Sequence, residues 1–185
     1  MQLYYREAGS GEPLILLHGN GEDGSHFADV MKHFASRYRV IAVDTRGHGK
    51  SPRGEAPFTI RQFAEDLREF MDQQKIEKAN LLGFSDGGNI ALIFALQYPE
   101  RVLRLILNGA NLNAEGVKPS VQIPIEIGYR MARICSKISQ RAKKNAEIVG
   151  LMVHDPNIDP DQLRSLCMPV LVIAGKQDML SLIHI

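Results

Sequence analysis

The chain has 185 residues, 44% hydrophobic and 23% charged, an ordinary composition for one globular domain with a real core. A net charge of +1 argues against bulk nucleic-acid binding, and no apolar run is long enough to span a membrane. The N-terminus lacks the basic-then-apolar pattern of a signal peptide, and Cys135 and Cys167 lack metal-ligand spacing, so a cytoplasmic protein with reduced thiols is expected.

Leu3 to Glu7 alternates as an edge strand, and Gly9 to Pro13 is a turn. Leu14-Ile15-Leu16-Leu17 is a short continuous apolar run, the pattern of a strand buried on both faces. Ser25 to Arg37 reads as a helix with Phe27, Val30, Met31 and Phe34 on one face. Val40 to Val43 is the next buried strand, and Arg46 to Pro57 is a loop rich in Gly and Pro. Thr59-x-x-Gln62 forms a capping box, opening a helix with Ile60, Phe63, Ala64, Leu67, Phe70 and Met71 as its core stripe. Asn80 to Leu82 is a strand, Asn89 to Gln97 a helix stopped by Pro99, and Leu103 to Leu107 and Val170 to Ile173 are strands. Alternating strands and helices predict an α/β fold with a mainly parallel sheet. Residues 113–166 break that rhythm. They read as a small helical cap inserted over the carboxyl edge of the sheet, between an N-terminal core part (1–112) and a C-terminal core part (167–179).

Gly83-Phe84-Ser85-Asp86-Gly87 is a Gly-x-Ser-x-Gly pattern where a strand turns into a helix. Such a turn holds a serine with its hydroxyl exposed, and the glycines serve close backbone approach or positive φ. Gly88 lets the following helix pack close.

With these residues in place the chain resembles the α/β-hydrolase superfamily over nearly its whole length. His18-Gly19-Asn20-Gly21 follows a buried strand and resembles the family's oxyanion loop; Asp44-Thr45-Arg46-Gly47-His48-Gly49-Lys50-Ser51 resembles its D-x-R-G-x-G-x-S signature. The resemblance implies Ser85 as nucleophile and the backbone N–H groups of Asn20 and Asp86 as oxyanion donors. It implies Asp178, after the strand at Val170 to Ile173, as the acid that orients a histidine. The other acid position of the family falls on Asn108-Gly109-Ala110-Asn111, which has no carboxylate. His48 reads as a loop residue, and His18, His26, His33 and His154 are poor candidates for the base. The reaction so implied is acyl transfer from a small ester-like substrate to water, without metal or cofactor.

Family order is Ser, acid, His, with a further helix and strand before the histidine. Only seven residues follow Asp178, so the chain reads as ending before that helix, that strand and its base. His184 is in the right order, and six residues can extend about 20 Å, but it has no strand to hold it. Leu180 to Ile185 (LSLIHI) matches the translated end of a transposase-based sequencing adapter and reads as a non-native tail.

The Gly-x-Ser-Asp-Gly-Gly variant resembles amino-ester hydrolases of the valacyclovir-hydrolase type, which implies that Asp86 receives a substrate ammonium; the competing reading is that Asp86 only caps its helix. Tyr129 to Lys144 reads as one basic amphipathic helix, with Ile127, Met131, Ile134 and Ile138 at helical spacing. A cap element with a solvated basic face is the expectation there, and contact with an anionic membrane the minor one. Two alternatives to a serine esterase stay open: a hydrolase-like binding protein or inactive fragment, and a C–C bond hydrolase or lyase on the same scaffold.

Overall fold

The computed structural model describes residues 1–113 and 119–175. Its sheet is built from the apolar runs: β1 (Tyr5–Ala8), β2 (Glu12–Leu17), β3 (Tyr38–Val43), β4 (Ala79–Phe84), β5 (Val102–Asn108) and β6 (Val170–Ile173). The spatial order is β1-β3-β2-β4-β5-β6. β1 is antiparallel to β3 and every other pairing is parallel, with Leu14 opposite both Val40 and Asn80. A mainly parallel six-stranded sheet with flanking helices is the fold the alternation predicts.

Residues two apart on a strand share a face, which explains why β2 and β3 read as unbroken apolar runs. Leu14, Leu16, Val40 and Ala42 pack with Phe27 and Met31 of a 3-10 turn (Gly24–Phe27) and α1 (Ala28–Phe34). Ile15, Leu17, Ile41 and Val43 face the other way, into the core shared with α2 (Ile60–Gln73) and α3 (Asp86–Gln97). All six predicted stripe residues of α2 are buried. α3 is wrapped almost completely, with Gly87 to Ala95 buried. β6 is the outermost strand, and its four residues remain 37% to 55% exposed.

Three local readings change. The helix expected over Ser25 to Arg37 splits, because Asp23 caps the 3-10 turn through the Ser25 N–H at 2.7 Å and α1 covers only seven residues. Half of the capping box forms: Thr59 accepts from the Gln62 N–H at 3.1 Å, but the Gln62 amide donates to Asp66 at 3.2 Å. That bond turns the Gln62 side chain toward Asp66, a buried carboxylate gripped by Arg46, and away from the Thr59 N–H that its Oε1 would accept from. The single helix expected over Tyr129 to Lys144 is two, α4 (Pro119–Cys135) and α5 (Gln140–His154), because Ser139 takes the N-cap geometry of α5 and accepts from the Ala142 N–H.

β2 has β3 on one side and β4 on the other, so the chain changes winding direction there. Parallel sheets bind ligands in the crevice at such a point, beyond the carboxyl ends of the strands. α5 and the residue after it are tied over it by hydrogen bonds from the core, and α4 packs on α5. Asn20 Nδ2 donates to Ile148 O at 2.8 Å, Arg53 forks onto Glu147 at 2.9 Å, and the Ile60 N–H donates to Asp155 Oδ2 at 3.3 Å.

Candidate active site

Ser85 stands between the carboxyl end of β4 and the first turn of α3, at φ 52° and ψ −121°. A side chain at positive φ is strained and persists only where its surroundings hold it. Here they do: the Ser85 N–H donates to Asn108 O at 2.8 Å, and Ser85 O accepts from the N–H groups of Gly88 at 2.8 Å and Asn89 at 3.1 Å. The glycines around it serve close approach and not positive φ. A Cβ on Gly83 would lie 2.2 Å from Gly87 O, one on Gly87 2.0 Å from Leu17 O, and one on Gly88 2.8 Å from Ala110 Cβ. The turn is therefore pressed against the end of β2.

That contact brings the His18–Gly21 loop beside Ser85, with Gly19 against the Phe84 ring. The Asp86 N–H lies in the first turn of α3, where no intrahelical acceptor exists. The Asn20 side chain is engaged with α5, and its Oδ1 is buried with no hydrogen-bond partner.

No histidine lines the cavity at Ser85 among the described residues. His18 Nε2 accepts from the Thr45 N–H at 3.0 Å, so its proton sits on Nδ1, facing Gly19 O at 2.8 Å. Burial lowers its pKa. His48 is buried, with Nδ1 on Arg46 O and Thr45 Oγ1; burial and the neighbouring His18 ring hold it down to about 4. Both are locked neutral in the loop structure. His26 stacks on Phe84, and His154 packs edge-on against Tyr129. Asp178 and His184 lie outside the described residues, as does the tail from Leu180 to Ile185.

The Asp44–Ser51 loop is held by buried hydrogen bonds centred on Asp44, and His48 Nε2 is its buried atom without a partner. Asp44 is fully buried and accepts from the Gly24 N–H, the Lys50 N–H and Arg6; Ser51 Oγ donates to Asp44 O.

Asp86 lies in the first turn of α3, where the helix-start reading put it, but its one hydrogen bond is from the Asn89 side chain, Nδ2 at 3.4 Å, and its Oδ2 is buried without a partner. Burial, reinforced by the facing Asp155 carboxylate, pushes its pKa up to about 7. Asp155, also raised by burial, lines the same cavity as Ser85, Asp86, Asn111 and Gln122, whose Oε1 is a second orphaned acceptor. Asn89 and Asn111 clamp the end of β5 to α3: the Asn111 N–H donates to Asn89 Oδ1 at 2.9 Å, and Asn89 Nδ2 to Asn111 Oδ1 at 3.0 Å. Sequence reasoning missed Asp155, Gln122 and this clamp. The one local signal was Asp155-Pro156, which marks a turn and not a site.

A protein of Mycobacterium tuberculosis strain H37Rv without assigned function is 37% identical over 119 residues, covering 64% of this chain and 34% of that protein. A 2-hydroxy-6-oxononadienedioate/2-hydroxy-6-oxononatrienedioate hydrolase of Paraburkholderia phymatum is 39% identical over 132 residues, covering 68% of this chain and 45% of that enzyme. The chain thus spans between a third and a half of the length of these two curated relatives. The solved structure of a thermophilic esterase from Thermogutta terrifontis superimposes with a TM-score of 0.76 at 23% identity, covering 97% of this chain and 76% of that one, which shows the shared fold. No described helix is long and apolar enough to cross a membrane. Residues 12–125 match the family model of the alpha/beta hydrolase fold, and with the sheet order and the turn at Ser85 this establishes that the chain belongs to that family.

Proposed function

We propose that Ser85 is the nucleophile of a serine hydrolase that transfers the acyl group of small carboxylic esters to water. The observation that carries this reading is the strained, glycine-cradled Ser85 facing a cavity at the switch point of the sheet. Ser85 Oγ attacks the carbonyl carbon, a histidine takes its proton, and the N–H groups of Asn20 and Asp86 hold the oxyanion. Water then releases the acid and restores the serine. Asp178 is proposed to orient that histidine, which family order places after it in the chain. No metal or cofactor takes part. Residues 113–166 act as the cap that closes the cavity, and the exposed, unpaired Cys135 and Cys167 support a cytoplasmic setting.

The finer reading is an amino-ester hydrolase. The cavity offers Asp86 Oδ2 and Gln122 Oε1 as unpartnered acceptors beside the Asp155 carboxylate, an arrangement suited to a donor-rich ammonium. The relative from Paraburkholderia phymatum supports a second reading, C–C bond hydrolysis of a dienedioate. Two acidic side chains in the cavity work against a substrate carrying carboxylates.

Fluorophosphonate labelling with mass spectrometry, alongside hydrolysis of paired amino and neutral esters, tests both levels. With the chain extended through the histidine that family order places after Asp178, Ser85 is expected to carry the label and Ser85→Ala to lose label and turnover; the 185 residues alone are expected to be inactive. Asp86→Ala is expected to lower the amino-to-neutral rate ratio about tenfold or more. Labelling that persists in Ser85→Ala removes the nucleophile assignment, and an unchanged ratio removes the amine reading.

A further inference from the structure

The apolar stripe of α4 points outward. Ile123, Ile127, Met131 and Ile134, with Ile138 in the turn beyond, are 56% to 88% exposed. Spacings of four and three residues put the first four on one face of α4, over a length of about 17 Å. The opposite face is committed: Gln122 and Ile125 line the cavity at Ser85, and Tyr129 packs against His154 of α5 at 5.0 Å. Turning the stripe inward would cost those contacts. A continuous exposed apolar patch of this kind marks an interaction site.

Its surroundings indicate the partner. Residues 127–146 carry Arg130, Arg133, Lys137, Arg141, Lys143 and Lys144 and no acidic residue. The whole chain has a net charge of only +1, so the rest of it is net negative and the molecule is polarised. All six cations are exposed, and none is in an ion pair among the described residues. By helical spacing Arg130 flanks the stripe on one long side, one turn after Glu126, and Lys137 follows in the turn beyond α4. A second copy docked on this face would bring two basic segments together, which like-charge repulsion opposes. An anionic lipid surface accepts both parts, the stripe below the headgroups and the cations among them.

We propose that the outer face of α4, with the basic start of α5, docks this protein on anionic membrane surfaces. The helix lies in the interface plane and does not span. Because α4 also roofs the cavity at Ser85, docking places that cavity next to the bilayer.

Vesicle flotation tests this with the 185-residue chain, using phosphatidylcholine alone and phosphatidylcholine with roughly one third phosphatidylserine. The wild type is expected to partition about tenfold or more in favour of the anionic vesicles and to be released by salt. Ile127→Ser with Ile134→Ser, and separately Arg130→Gln with Lys137→Gln, are each expected to lose about tenfold in partitioning. These side chains are exposed, so circular dichroism and melting temperature should match the wild type; if the first pair disturbs folding, Met131→Ser with Ile138→Ser reads the same stripe. Equal partitioning on both vesicles, or folded variants that bind as the wild type does, overturns the proposal. So does wild-type self-association that Ile127→Ser with Ile134→Ser abolishes while neither protein binds vesicles, which would assign the face to a second copy.

Discussion

Asp86 is the residue whose chemistry depends most on its surroundings. An aspartate ordinarily titrates near 3.8, whereas burial and the facing Asp155 bring Asp86 to about 7. Between those values the folded state holds a proton that the unfolded chain has released. Stability therefore falls as pH rises across this window, and the loss is complete above about pH 7. Asp86→Asn removes the penalty. It is expected to match the wild type below pH 4 and to exceed it at pH 8 by up to about 4 kcal/mol, read from urea unfolding at both pH values. His48 works in the opposite direction: burial and His18 hold it at about 4 against an ordinary 6.5, so the unfolded chain takes up the proton first and stability falls as pH drops through that window. The two trends oppose each other in the wild type, which is why the variant is needed. Asp86 was legible because it adjoins the glycine-flanked serine. Asp155 was not, because its meaning depends on a partner 69 positions away in the chain.

At the scale of elements, the junction of β4 and α3 leaves no room for a side chain. A methyl at Gly87 would sit 2.0 Å from Leu17 O, a backbone atom that cannot swing aside, so β2 and α3 would have to part. Gly87→Ala is expected to cost about 3 kcal/mol or more and to lower soluble yield. Gly128 on α4 has open space around it, so Gly128→Ala is expected to gain up to about 1 kcal/mol from helix propensity. Urea midpoints of the two variants give the contrast. Elements with strong local patterns were readable: the buried strands, and the stripe of α2. Breaks were not readable where a single cap decides them, as at Asp23 and Ser139, since serine and aspartate suit several positions equally well.

Across the whole molecule, the signature loop acts as a joint. Arg46 forks onto Asp66 of α2, both side chains only 4% exposed, and Arg53 forks onto Glu147 of α5. Arg46→Ala would leave Asp66 buried without its partner and is expected to cost about 3–5 kcal/mol, measured by urea unfolding at pH 7. The strands, the helix stripes, the alternation that makes the sheet parallel and the glycine-flanked serine were readable along the chain, because each depends on residues within a few positions of one another. The neutral tautomer of His18, the approach of Asp155 to Asp86 and the outward turn of the α4 stripe were not readable there. Those follow from contacts between distant segments. A helical pattern states that two faces differ, but the packing of α4 against α5 and the cavity at Ser85 selects which face meets water.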